Sequence, residues 1–121
     1  MNLYESTYSQ MRDSYDTIKR NHRKLRHELS QVDKQISALY HELERTNLCE
    51  ELGYQYSVAL QNILRKRRVI KDELIPLQIL QDTFRGSFEQ AHKRLSGNRS
   101  KSKKIRESLN VSISIDQVVN L

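Results

Sequence analysis

Tyr4, Tyr8, Met11, Tyr15, Ile18, His22, Leu25, Leu29, Val32, Ile36, Leu39 and Leu43 follow one another at alternating intervals of four and three. Eleven of these twelve residues are apolar or aromatic, and His22 is the exception. Between them, only Ala38 and Tyr40 are apolar. A mean spacing of 3.5 residues makes a narrow stripe along one face of a helix. Such a stripe is covered by a second helix through knobs-into-holes packing. The spacing therefore predicts a long helix, from about Tyr4 to Arg45, lying against another helix.

The second helix is in the same chain. Thr46-Asn47-Leu48-Cys49-Glu50 interrupts the pattern, and Asn47 suits either a left-handed C-cap or an N-cap with Glu50 as a loose capping box. The spacing then resumes at Tyr56, Leu60, Ile63, Arg67, Ile70, Leu74, Leu77, Gln81, Phe84, Phe88, Ala91 and Leu95, with Arg67 and Gln81 as its polar members. Two long helices and a short turn predict an all-α fold, a long antiparallel coiled-coil hairpin with arms of about 60 Å. Folding about Asn47 and Leu48 levels Leu25 with Ile70, Ile18 with Leu77, Met11 with Phe84, Tyr15 with Gln81 and Tyr8 with Phe88. Tyr4, Tyr8, Tyr15, Phe84 and Phe88 then cluster at the open end, as aromatic core or as a patch for a partner.

Pro76 lacks a backbone donor and clashes with the Asp72 carbonyl, which predicts a kink or break in the second helix. The apolar belt Leu74, Ile75, Leu77, Ile79 and Leu80 is broader than one helix covers, which points to an oligomer interface and a homodimer. Residues 1–95 form the hairpin on this reading, and 96–121 a basic linker and C-terminal tail. Ser96-Gly97-Asn98-Arg99-Ser100-Lys101-Ser102-Lys103-Lys104 has no apolar residue and reads as flexible. Val111 to Ile115 alternates apolar and polar, followed by Val118, Val119 and Leu121, and predicts a short strand. That strand would need the hairpin, a second copy or a partner beside it.

Composition narrows the function classes. The 121-residue chain is 30% charged and 36% hydrophobic, with three Gly, one Pro and no Trp, a mix typical of long helices. The net charge of +6, from 21 Lys and Arg against 15 Asp and Glu, favours an anionic partner. Cys49 is the only cysteine, which fits a reducing cytoplasm. The first residues lack a signal peptide's basic and apolar regions, and no apolar run is long enough to span a membrane. A cytoplasmic protein without membrane attachment is expected.

Ten of the 21 basic residues fall in two clusters. One holds Lys19, Arg20, Arg23, Lys24 and Arg26, with His22 and His27 among them; the other holds Arg65, Lys66, Arg67, Arg68 and Lys71. Folding levels the two. One edge of the stripe carries Arg12, Lys19, Arg26, Lys71 and Arg85 against a single acid, Asp33, while the other mixes signs and sets Glu28 opposite Lys66. Like charges facing across a helix pair are unfavourable. A phosphate or an acidic protein surface between them would relieve this; a solvated face is the plain alternative. Lys101, Lys103 and Lys104 extend the basic surface into the tail. Arg67 either reaches back to Glu28 or Asp33 and sets the register, or turns outward and joins the band. His22 reads as a buried or rim histidine. His27-Glu28 and His41-Glu42 begin like HExxH, but Gln31 and Arg45 stand where the second histidine belongs. There is no Walker loop, no GxSxG and no CxxC, and no histidine is placed to activate Cys49. The expectation is a protein that is not an enzyme and uses no cofactor or metal.

The run from Leu60 to Leu74, LQNILRKRRVIKDEL, follows Thr46-Asn47-Leu48 and Gly53-Tyr54. Across residues 27–80 this arrangement resembles small helical proteins of Bacillus-type bacteria and their phages. That uncharacterised family contributes no functional residues. The resemblance implies a cytoplasmic phage or prophage setting, in which small proteins bind and redirect host machinery. The resulting expectation is a non-enzymatic protein that engages a host or phage protein through its basic helical surface and tail. The alternatives are an accessory factor binding DNA or RNA, and a structural coiled-coil assembly component.

Overall fold

A computed structural model describes residues 3–118. Its elements are α1 (Leu3–Arg45), α2 (Glu50–Ser108) and a single short turn of helix, α3 (Ile115–Val118). Among the described residues there is no strand. α1 and α2 pack together as a helical hairpin. The four-and-three spacing accounts for the seam. On α1 only Met11 of the twelve stripe residues is exposed, and on α2 only Phe84. Val32 is the most enclosed, with no exposed surface. Packing divides the chain into two compact units. One is Ile18–Leu80; the other joins the segment ending at Thr17 with the segment beginning at Gln81.

In the Ile18–Leu80 unit, hydroxyl groups close the turn. Thr46 donates from Oγ1 to the Glu42 carbonyl at 2.6 Å, which satisfies one of the unpaired carbonyls at the end of α1. The same oxygen lies 3.3 Å from the Tyr56 hydroxyl of α2. α2 starts with the Gly53 amide donating to the Cys49 carbonyl at 2.8 Å. Cys49 therefore occupies the N-cap position predicted for Asn47. Nor is Asn47 a left-handed C-cap, because Asn110 is the only described non-glycine residue with positive φ.

Arg67 donates from Nε to Asp33 Oδ1 at 2.8 Å. Of the two acids expected to hold Arg67, Glu28 and Asp33, it is Asp33 that does so, which moves the register from the one that levels Arg67 with Glu28. Asp33 lies five residues farther along α1, about 7.5 Å at 1.5 Å per residue. The physical cause is the crossing itself. Residues 46–49 and the first turn and a half of α2 are spent in passing from one helix to the other, so Thr46 meets Tyr56 rather than the start of α2.

The other unit is shifted in the same direction, by seven residues instead of five. Tyr15 stacks on Phe88, with centroids 5.0 Å apart and planes at 25°, one heptad beyond the predicted Gln81. Phe84 tilts against Phe88 at 6.4 Å. Arg99 donates from Nη2 to Glu5 Oε1 at 3.3 Å. A hydrogen bond that Arg99 donates to the Tyr4 hydroxyl, with the charge of Glu5, raises the Arg99 guanidinium still further above its ordinary range. These contacts hold the last turns of α2 against the first turn of α1.

Two expectations for the tail are corrected. Residues 96–104, predicted to be a flexible linker, are helical and belong to α2. A single Gly costs a helix only about 1 kcal/mol relative to Ala, and Lys and Arg are good helix formers. The spacing also continues, with Leu95 and Ser102 both half-buried. α2 ends beyond them in a Schellman motif: the Val111 amide donates to the Arg106 carbonyl at 2.9 Å and the Asn110 amide to Glu107 at 3.3 Å. Asn110 takes the left-handed position, with φ 56°. The predicted strand is also not formed. Residues 111–114 are irregular and Ile115 opens α3. Ser114-Ile115-Asp116-Gln117 is a capping-box sequence, and its return bond is present, from the Ser114 amide to Gln117 Oε1 at 2.9 Å. Val119 and Leu121 lie outside the described residues.

α2 is helical on both sides of Pro76, so there is no break there. Pro76 and Asp72 are both exposed, where water can take the place of the lost bond to the Asp72 carbonyl.

Candidate partner interface on α2

The seam consumes the apolar face of α1 but not that of α2. Between the stripe residues of α2 lie Val58, Ala59, Leu64, Val69, Ile75, Ile79 and Leu80, whereas α1 has only Ala38 and Tyr40. Most of these point outward: Leu64 is 44% exposed, Val69 63%, Ile75 59% and Ile79 58%. Arg65 and Arg68, both exposed, stand among them. Leu64, Arg65, Arg67 and Arg68 also line an open groove of about 490 Å³ with Gln61. The outer face of α2 in the Ile18–Leu80 unit thus interleaves aliphatic side chains with guanidinium groups. That combination is enriched at protein–protein contacts, where an apolar centre excludes water and arginine anchors the surroundings.

The predicted basic residues separate into groups. Arg20, Arg23, Lys24 and Arg26 are exposed on α1, and Lys19 is half-buried; Lys19 and Arg20 already take part in interactions within the chain. On α2, Arg65, Lys66 and Arg68 are exposed and Lys71 is half-buried. Arg67 belongs to the seam, held by Asp33. The Asp33–Arg67 pair sets the Arg65–Lys71 cluster alongside α1 about three to nine residues, or roughly 5 to 14 Å, past Arg26. The two clusters are staggered patches and not one level band. Lys101, Lys103 and Lys104 are exposed on the last turns of α2.

The five residues of the apolar belt also divide. Leu74 and Leu77 are half-buried seam residues, while Ile75, Ile79 and Leu80 face outward. The predicted aromatic cluster is mostly core: Tyr15 and Phe88 are buried, Tyr4 and Tyr8 half-buried, and only Phe84 is exposed. The sequence reading missed the outer aliphatic face as a continuous surface. Its signal was present in the seven apolar residues lying off the α2 stripe.

His22 is buried at 8% exposure. Cys49 is exposed on the turn. No group of three or more His, Cys, Asp or Glu among the described residues is placed to hold a metal ion. No described helix is long and apolar enough to cross a membrane. No protein-family model, curated protein or solved structure matches this chain.

Proposed function

We propose that this chain is a non-enzymatic binding protein that engages a host or phage protein through the outer face of α2. The observation that carries the reading is the mixture of exposed Leu64 and Val69 with Arg65 and Arg68 on one face. Arginine beside aliphatic surface suits a partner with acidic groups around an apolar centre. Arg23, Lys24 and Arg26 on α1 add long-range attraction to the same acidic partner. A homodimer belongs to the same proposal. Ile75, Ile79 and Leu80 continue the face about 10 Å farther along α2, where a second copy would cover them.

The test is crosslinking of the purified chain in nuclease-treated bacterial lysate, with the crosslinked residues mapped. The expected result is one stoichiometric protein partner crosslinked near Lys66 and Lys71. Val69→Asp and Arg68→Glu should each reduce its capture at least tenfold. Capture that survives both substitutions would sink the reading.

A further inference from the structure

The end of α2 carries a second surface of different chemistry. From Gln90 to Arg106 the chain has seven Lys and Arg residues and no Asp or Glu. All of this stretch is helical, so the points from which its charged side chains project are fixed. Lys93, Arg94, Lys101 and Lys104 share the side away from Phe88, Ala91, Leu95 and Ser102. Residues 93 and 104 are three turns apart, and 94 and 101 two turns apart. All four are exposed, and none is in an ion pair among the described residues. Gly97 and Ser100 lie between them, also exposed, and a Cβ added at Gly97 would meet nothing within 4 Å. The centre of the face is thus low, with cations at its margins. Arg99, bonded to Glu5, ties these turns to α1.

We infer that this face of α2 binds the phosphate backbone of a nucleic-acid duplex. Three features favour a duplex over an acidic protein or a single strand. The face has no apolar residue from Lys93 to Lys104, and only Ile105, 58% exposed, borders it beside Lys101, so it lacks the broad water-excluding centre that protein contacts use. It has no aromatic residue, so it offers no platform on which unpaired bases could stack. Its four cations span about 16 Å along the helix axis, the rise of about five base pairs, and helices are of a size to enter the major groove. Contacts of this kind read phosphates and not base edges, so they carry no sequence preference. The inference is independent of the protein-binding reading, which uses residues 64–80 of α2 with Arg23, Lys24 and Arg26 of α1.

Binding of the full chain to 20-base-pair DNA and RNA duplexes of several sequences, measured by fluorescence anisotropy from 50 to 200 mM salt, tests it. Four released counterions give a slope of about −3.6 in log K against log salt for duplex DNA, or roughly a hundredfold loss over that range. The variant K93Q/R94Q/K101Q/K104Q should lose most of this binding and flatten the slope, with unchanged helical circular dichroism. A single strand of equal length should bind more weakly. No duplex binding at 50 mM salt would overturn the inference. So would full binding by the quadruple variant, loss of binding in R65Q/R68Q instead, or tighter binding of the single strand.

Discussion

Val32 and Asp33 are neighbours in sequence but hold the hairpin by different means. Val32 has no exposed surface, so Val32→Ala removes two buried methyl groups' worth of contact. At about 0.8 kcal/mol per buried carbon plus a cavity contribution, the loss is about 2 kcal/mol. Asp33 and Arg67 are 50% and 35% exposed, so solvent screens their pair. Asp33→Ala should cost less than about 1 kcal/mol. Urea denaturation of the two variants checks the ranking; an equal or larger loss for Asp33→Ala would show that the ion pair dominates. Tyr8 gives a prediction of opposite sign. Its hydroxyl is buried without a hydrogen-bond partner among the described residues, and an unsatisfied buried donor costs about 1–3 kcal/mol. Tyr8→Phe should therefore raise the urea midpoint, and a lowered midpoint would mean that the hydroxyl is satisfied. At this scale the sequence was informative about type more than about partner. Asp33 was one of two acids within reach of Arg67. The hydroxyl contact between Thr46 and Tyr56 is not legible in the spacing, which reports the Tyr56 ring and not its oxygen.

The length of α2 is the clearest difference at the level of elements. Ser, Gly, Asn and Lys between residues 96 and 104 suggest solvation, and that composition masks the spacing there. Yet Leu95 and Ser102 stay in phase with the seam, and Asn110, not Gly97, supplies the left-handed residue that ends the helix. Gly97 is within a helix and faces open space. Gly97→Ala should therefore stabilise the chain by about 0.5–1 kcal/mol and increase its helical circular dichroism. A flexible linker at this position would show no gain in helicity. The strand prediction failed for a related reason. Alternation from Val111 to Ile115 is a weak signal over so few residues, and the Ser114–Gln117 return bond offers the backbone a local partner that a lone strand lacks. The hairpin itself was legible because twenty-four stripe positions repeat one spacing. The register was not, because it depends on how many residues the crossing uses, and no periodicity reports that.

For the whole molecule, the two helices divide the work unequally. α1 turns its apolar side into the seam and shows an outer face dominated by polar residues. In the Ile18–Leu80 unit α2 shows an outward surface that is aliphatic and basic, at residues 64–80; in the other unit its outward surface at residues 93–104 is basic. The sequence reading merged the basic residues of both helices into one band, because the assumed register brought them level; the Asp33–Arg67 anchor separates them. This division makes self-association and duplex binding separable by mutation. Ile75 and Ile79 are 59% and 58% exposed, so replacing both with Glu disturbs no buried packing and places charge where a second copy would dock. The parent chain is expected at twice its 14.4 kDa mass in light scattering. Its melting temperature should rise with concentration, because association draws the folded state by mass action. I75E/I79E should scatter as a single chain, with a concentration-independent melt and unchanged helical content. Its duplex affinity per chain should stay within about threefold at 100 mM salt, beyond the effect of its added negative charge. A parent chain that is already monomeric at tens of micromolar would remove the dimer. A double variant that no longer binds duplex would mean that the two surfaces act as one.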